Sequence, residues 1–115
     1  MTAFRRGDVV LVAFPFTDLA TAKMRPALVV SSDAFNAHNL DIVLIAVTSQ
    51  IPRRISPTDH MLSPQDQRQA GLPKPSMVKV GKIVTLDRRL MRKRLGRLSD
   101  PTLSLLTLKL HKLLQ

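Results

Sequence analysis

The stretch Met24-Arg25-Pro26-Ala27-Leu28-Val29-Val30-Ser31 sets a charged residue and a proline ahead of an apolar, β-branched run. Proline fixes φ and has no N–H, which suits the start of a strand. The residue before a proline is driven toward extended backbone. Arg25 therefore stands at the mouth of a buried strand, with a five-donor guanidinium suited to a phosphate. Similar runs lie on both sides of it. Asp8 to Phe14 is apolar on both alternation faces, which predicts a central strand, and it is introduced by Arg5-Arg6-Gly7. Asp41 to Thr48 is a third buried strand and runs out into Thr48-Ser49-Gln50. Between the first two, Pro15-Phe16-Thr17-Asp18 breaks the chain and Leu19 to Met24 forms a loop carrying Lys23.

Ser32-Asp33 predicts the cap of a short helical turn through Ala37. Ile51 to Pro75 holds five prolines (Pro52, Pro57, Pro64, Pro73 and Pro75) and is expected to be irregular, with one short strand inside it. Ser76 to Lys79 and Lys82 to Leu86 read as two strands, or as one bent at Gly81. Asp87 is expected to cap a short helix, Arg88 to Leu95, closed by Gly96. That helix would carry Arg88, Arg89, Arg92, Lys93 and Arg94 outward, with Arg97 just beyond. Ser99-Asp100-Pro101 starts a terminal helix with a capping residue and an early proline. Leu103, Leu106, Leu110, Leu113 and Leu114 fall on one of its faces, and Leu105 and Leu108 on the opposite side. The second stripe calls for a partner, first of all another copy of the chain. Strands at short spacing followed by a helix predict a mainly β single domain over residues 1–115, built as a small barrel.

Charge bounds the partner. The 18 Lys and Arg residues face 8 acids, all aspartate, for a net charge of +10. Several aspartates (Asp18, Asp33, Asp87, Asp100) stand where turns and helix starts are expected, so the basic surface is almost uncompensated. Such a field suits nucleic acid or an acidic protein. No apolar run approaches the roughly 20 residues that span a bilayer, and Met1 to Asp8 has no apolar core of a signal peptide. The absence of cysteine excludes disulfides and thiolate metal sites and points to the cytoplasm. With four phenylalanines and no Trp or Tyr, base-stacking platforms are scarce.

Familiar chemistries drop out in turn. No His, Cys and Asp grouping has metal-ligand spacing, no glycine-rich phosphate loop is present, and no G-x-S-x-G elbow occurs. Asp59-His60 reads as a surface pair, and His38, His60 and His111 offer no clear acid–base couple. What survives is an arginine at the start of one strand and Thr48 at the end of another. In an antiparallel pair those ends are neighbours, so guanidinium and hydroxyl can converge on one phosphodiester. Such a pair is ill equipped to attack DNA. RNA carries its own nucleophile, the 2′-OH, and needs only positioning, proton transfer and stabilisation of the phosphorane.

Three ordered segments then resemble the MazF/PemK toxin family: Arg6-Gly7-Asp8-Val9-Val10, Arg25-Pro26-Ala27-Leu28-Val29-Val30-Ser31 and Ala46-Val47-Thr48-Ser49-Gln50. Lys82-Ile83-Val84-Thr85-Leu86-Asp87, Leu90 and Leu95-Gly96 continue the likeness over nearly the whole chain. The resemblance implies an SH3-like small β-barrel with a C-terminal helix, shared with CcdB-like gyrase poisons, and a homodimer. It implies a metal-independent, cofactor-free endoribonuclease that cuts single-stranded RNA and is neutralised by an acidic antitoxin. Arg25 and Thr48 match the family's catalytic arginine and its threonine or serine. Phe16, Asp18 and Lys23 on one lip, Ser49, Gln50, Arg53 and Arg54 on the other, and Lys82 make up the RNA-binding set. Leu19-Ala20-Thr21 stands where several relatives have Ser-Glu-Gln, and Gly81-Lys82 where some have Glu-Gln, so base preference does not carry over. A non-enzymatic gyrase-binding toxin and a basic RNA-binding module are the alternatives on the same fold.

Overall fold

The computed structural model describes residues 4–14 and 23–115. Phe16 and Asp18, expected on one lip of the RNA groove, lie outside the described residues. Strand β1 (Asp8–Phe14) leads to β2 (Lys23–Val29), helix α1 (Asp33–His38) and β3 (Asp41–Thr48). Then come β4 (His60–Met61), α2 (Pro64–Gln69), β5 (Met77–Asp87), a 3-10 turn (Arg88–Leu90), β6 (Met91–Arg97) and α3 (Asp100–Leu113). The strands form one antiparallel sheet in the order β4-β5-β3-β2-β1-β6. The expected mainly β fold with a C-terminal helix is therefore present, but the two edge strands are not paired to each other, so the barrel is not closed by hydrogen bonds.

Both faces of the sheet are buried, as the apolar alternation of β1 and β3 predicts. Val9, Leu28, Ile45 and Val78 pack with Leu103 and Leu106 of α3 on one side. Val10, Ala27, Val29, Ile42 and Leu44 form the second core with Leu86 and Met91. Leu103 and Leu106 are the only members of the α3 stripe that are fully covered. Leu105, Leu108, Leu113 and Leu114 remain exposed among the described residues.

Two expectations are corrected. Arg88 to Leu95 is a single 3-10 turn followed by edge strand β6, and Gly96 lies within that strand and does not end a helix. A helix there would stack Arg88 over Arg92 and Arg89 over Lys93 at repulsive i, i+4 spacing. A strand fans the same charges to alternating sides and satisfies the open edge of β1. Asp87 does cap, but only the 3-10 turn, accepting from the Arg89 N–H at 2.8 Å. The Arg89 guanidinium, bonded to both carboxylate oxygens, pulls the Asp87 carboxyl down to about 2. Secondly, the proline-rich stretch contains α2 as well as the short strand β4. Ser63 caps it by accepting from the Asp66 N–H, with Pro64 at its first position, the same signal that starts α3.

Helix α2 follows edge strand β4 in the chain, and its end abuts the other edge strand, β6. Its buried Asp66 accepts hydrogen bonds from Ser99 Oγ (3.0 Å) and Thr102 Oγ1 (2.6 Å), capping α3 from a distance. The Ser99 hydroxyl makes no cap hydrogen bond to its own helix. Beyond α2, Gly71 sits at φ +71, and an added Cβ would lie 2.1 Å from Leu95 O. Reciprocally, a Cβ on Gly96 would lie 2.2 Å from Gln69 O. The backbones of β6 and the α2 terminus thus touch with no side chain between them. Buried Asp8 holds Arg94 (3.0 Å) and Arg97 (3.4 Å) on the same edge.

Lys109 Nζ donates to Pro57 O and Asp59 O, tying the 51–59 loop to α3. His60 follows directly. Burial, reinforced by the Lys109 charge and opposed by Asp66, lowers its pKa below the ordinary 6.5. A depressed histidine favours folding while neutral, so its contribution is present above the ordinary value and is lost as pH falls below it. We expect chemical-denaturation midpoints to fall between about pH 7.5 and pH 5, with a shallower fall in His60→Gln. Parallel profiles for the two proteins would contradict this.

Candidate active site

Strands β2 and β3 pair from Val29↔Leu44 to Ala27↔Ala46 and no further. Pro26, one residue beyond, has no N–H with which to extend the ladder. It is the fourth residue of β2, not its first, and it is tolerated there because β2 stays paired to β1 across Leu11↔Pro26. The strands part at this point. Carried on by two residues, the register sets Arg25 across from Thr48, on the same side of the sheet by strand alternation.

Both residues line one cleft of about 420 Å³. Arg25 is half-buried, and its Nε is buried without a hydrogen-bond partner among the described residues. A buried donor with no partner costs on the order of 1–3 kcal/mol, so an acceptor entering the cleft would relieve it. Thr48 Oγ1 accepts from the Gln50 N–H at 3.1 Å, which fixes the turn after β3. With that lone pair occupied, the hydroxyl hydrogen can still turn outward as a donor.

Ser49 and Gln50 line the same cleft. Lys23, Arg53, Arg54 and Lys82 do not. Lys23 is exposed at the start of β2, opposite Phe14. Arg53 and Arg54 are exposed in the loop after Gln50, and Lys82 is exposed where β5 slips register against β3. The far wall, which sequence reasoning missed, is the connection from α2 to β5: Gly71, Leu72, Pro73, Lys74 and Ser76. Only the Pro-Lys-Pro spacing hinted at a rigid segment there; nothing local placed it opposite Arg25. Leu11, Met24, Val47 and Leu95 give the cleft an apolar lining, and no described aspartate reaches it. The arrangement can hold an anion between a guanidinium and a hydroxyl, with an apolar group beside it. The described residues contain no group of three or more His, Cys, Asp or Glu placed to hold a metal. No helix among them is long and apolar enough to cross a membrane.

The fold defines a class of small, mainly β domains whose open antiparallel sheet is packed by a terminal helix. The sequence profile of PemK-like, MazF-like toxins of type II toxin–antitoxin systems matches residues 5–114. The chain belongs to that family. It is similar to an endoribonuclease from mycobacterial species, at 29% identity and TM-score 0.76, covering 99% of this chain and 93% of that one. A mycobacterial endoribonuclease in complex with its cognate antitoxin is 25% identical at TM-score 0.76, with 99% and 95% covered. MazF from Deinococcus radiodurans shares the fold at TM-score 0.78, with 24% identity and 99% and 98% covered.

Proposed function

We propose that this toxin is an endoribonuclease that cuts single-stranded RNA at the Arg25–Thr48 cleft without a metal or cofactor. The observation that carries the reading is the buried, unpartnered Nε of Arg25 in a cleft shared with Thr48. The similar mycobacterial endoribonuclease supports it. In the reaction the ribose 2′-oxygen forms a bond to phosphorus and the bond from phosphorus to the 5′-oxygen breaks. The 2′-OH proton leaves and the departing oxygen gains one, giving a 2′,3′-cyclic phosphate and a 5′-OH. Arg25 neutralises the charge that builds on the phosphorane, and Thr48 donates a hydrogen bond that orients the phosphate. Ser49 and Gln50 contact the strand within the cleft. Lys23, Arg53, Arg54 and Lys82 extend its path outside, and Phe16 and Asp18 complete the proposed RNA-binding set.

The same reading includes a homodimer that covers the exposed leucines of α3, and an acidic antitoxin drawn to a +10 chain. The antitoxin complex of the mycobacterial relative supports such a partner. Toxin and antitoxin would meet in the cytoplasm. Incubation of the purified protein with a long RNA in EDTA is expected to give cut products with cyclic phosphate ends. Products that vanish in chelator and return with a divalent ion would overturn the metal-free chemistry. Retention on RNA without any product would leave a binding module in place of an enzyme.

A further inference from the structure

Among the described residues that line the cleft, two are cations, Arg25 and Lys74, and none is an acid. They come from separate walls. Arg25 stands where β2 and β3 part, whereas Lys74 lies on the connection between α2 and β5. Lys74 is exposed and has no ion-pair partner among the described residues.

Its backbone is held in several ways. Pro73 and Pro75 flank it, so Leu72 and Lys74 both precede a proline and are confined to extended geometry. The buried Ser76 donates from Oγ to Lys74 O at 2.8 Å. At one end of the bridge, Leu72 N donates to Gln67 O and Gln67 Nε2 donates to Leu72 O. At the other, Ser76 O accepts from the Leu62 N–H of the segment after β4. With the backbone fixed, only the side-chain rotamers of Lys74 remain to be ordered when an anion arrives.

From this we infer that Lys74 is a positioning residue that holds the RNA phosphate next to the scissile one. The inference rests on the ribonuclease reading above. A cleft of about 420 Å³ accommodates one nucleotide-sized group. Cations on its two walls therefore suit successive phosphates of one strand, with a base against Leu11, Met24, Val47 and Leu95 between them. The exposed, hydrated ammonium of a lysine acts as a point charge that captures substrate, whereas the half-buried guanidinium of Arg25 is placed to act on the reacting group. Two cations without a carboxylate among the described lining residues suit the phosphates of a polyanion.

The test compares Lys74→Met, Lys74→Arg and, as a control for net charge, Lys112→Met at the far end of α3. Cleavage of a long RNA gives KM and kcat. Binding of a short, randomised 2′-O-methyl RNA, which cannot be cut, gives Kd against salt. Lys74→Met is expected to raise KM and Kd about ten-fold and to reduce the salt slope by about 0.7, with kcat within about two-fold. Lys74→Arg restores KM, and Lys112→Met leaves it within about two-fold of the parent. Unchanged KM and Kd in Lys74→Met would overturn the assignment, as would a fall in kcat alone or an equal rise in Lys112→Met. If the parent protein cuts RNA and Lys74→Met matches it, only Lys74 loses its role. If the parent cuts nothing, the ribonuclease reading fails, and with it the scissile phosphate on which this assignment depends; a Kd effect would then mark an RNA-contacting lysine alone.

Discussion

Arg25→Ala is expected to lower RNA cleavage by about 10²–10³-fold while leaving the thermal midpoint at or above that of the parent protein. The two halves of that expectation come from one atom. Arg25 Nε is buried without a partner among the described residues, so the folded state already carries the cost of that donor. Truncation removes the donor together with its cost. At the same time it removes the preorganised positive charge that the phosphorane would meet. An arginine kept for structure would behave in the opposite way, since its loss would leave carbonyls or carboxylates unpaired and lower stability. Paired measurements of initial cleavage rate and thermal unfolding on the same preparation decide the matter. A variant that cuts at the parent rate would remove Arg25 from the site. A variant that melts well below the parent would show that the side chain holds the fold.

Gly96→Ala should destabilise the protein by about 3 kcal/mol. The new Cβ would meet backbone, with Gln69 O at 2.2 Å and Ala70 C at 2.6 Å, and backbone has no rotamer to turn away. Either β6 must leave β1 or the end of α2 must withdraw. Because Leu95, Gly71 and Leu72 line the cleft, withdrawal of α2 would also move the wall that faces Arg25 and Thr48. Activity should therefore fall before the protein unfolds. Urea titration of the variant against Gly81→Ala makes the comparison, since a Cβ on Gly81 would meet nothing within 4 Å. Equal midpoints for the two would show that α2 and β6 do not pack backbone to backbone.

The difference between these glycines shows where sequence reading stops. All four glycines look alike in the chain, and only packing separates Gly96, pressed on α2, from Gly81 in open space. The same limit explains the error over Arg88 to Leu95. Its local pattern, an aspartate cap and a glycine stop, fits a helix, but the unpaired edge of β1 offered that segment a ladder and took it as a strand. It also explains the missing wall of the cleft. Pro73-Lys74-Pro75 is visible as a stiff segment, but its position opposite Arg25 depends on α2 crossing to β6, a contact made between residues far apart in sequence.

What the sequence determined was whatever depends on short-range chemistry. The bounds of β1 and β3 follow from uninterrupted apolar alternation, the starts of α1 and α3 from Ser32 and from Ser99-Asp100-Pro101, and the parting of β2 from β3 from Pro26. The neighbouring positions of Arg25 and Thr48 belong here too, because antiparallel register is a local rule once two strands are known. Tertiary structure decided which edge β6 would join, that the end of α2 would abut β6, and which of many cations would face the cleft. Those outcomes depend on burial and steric fit between distant segments, quantities that no window of neighbouring residues contains.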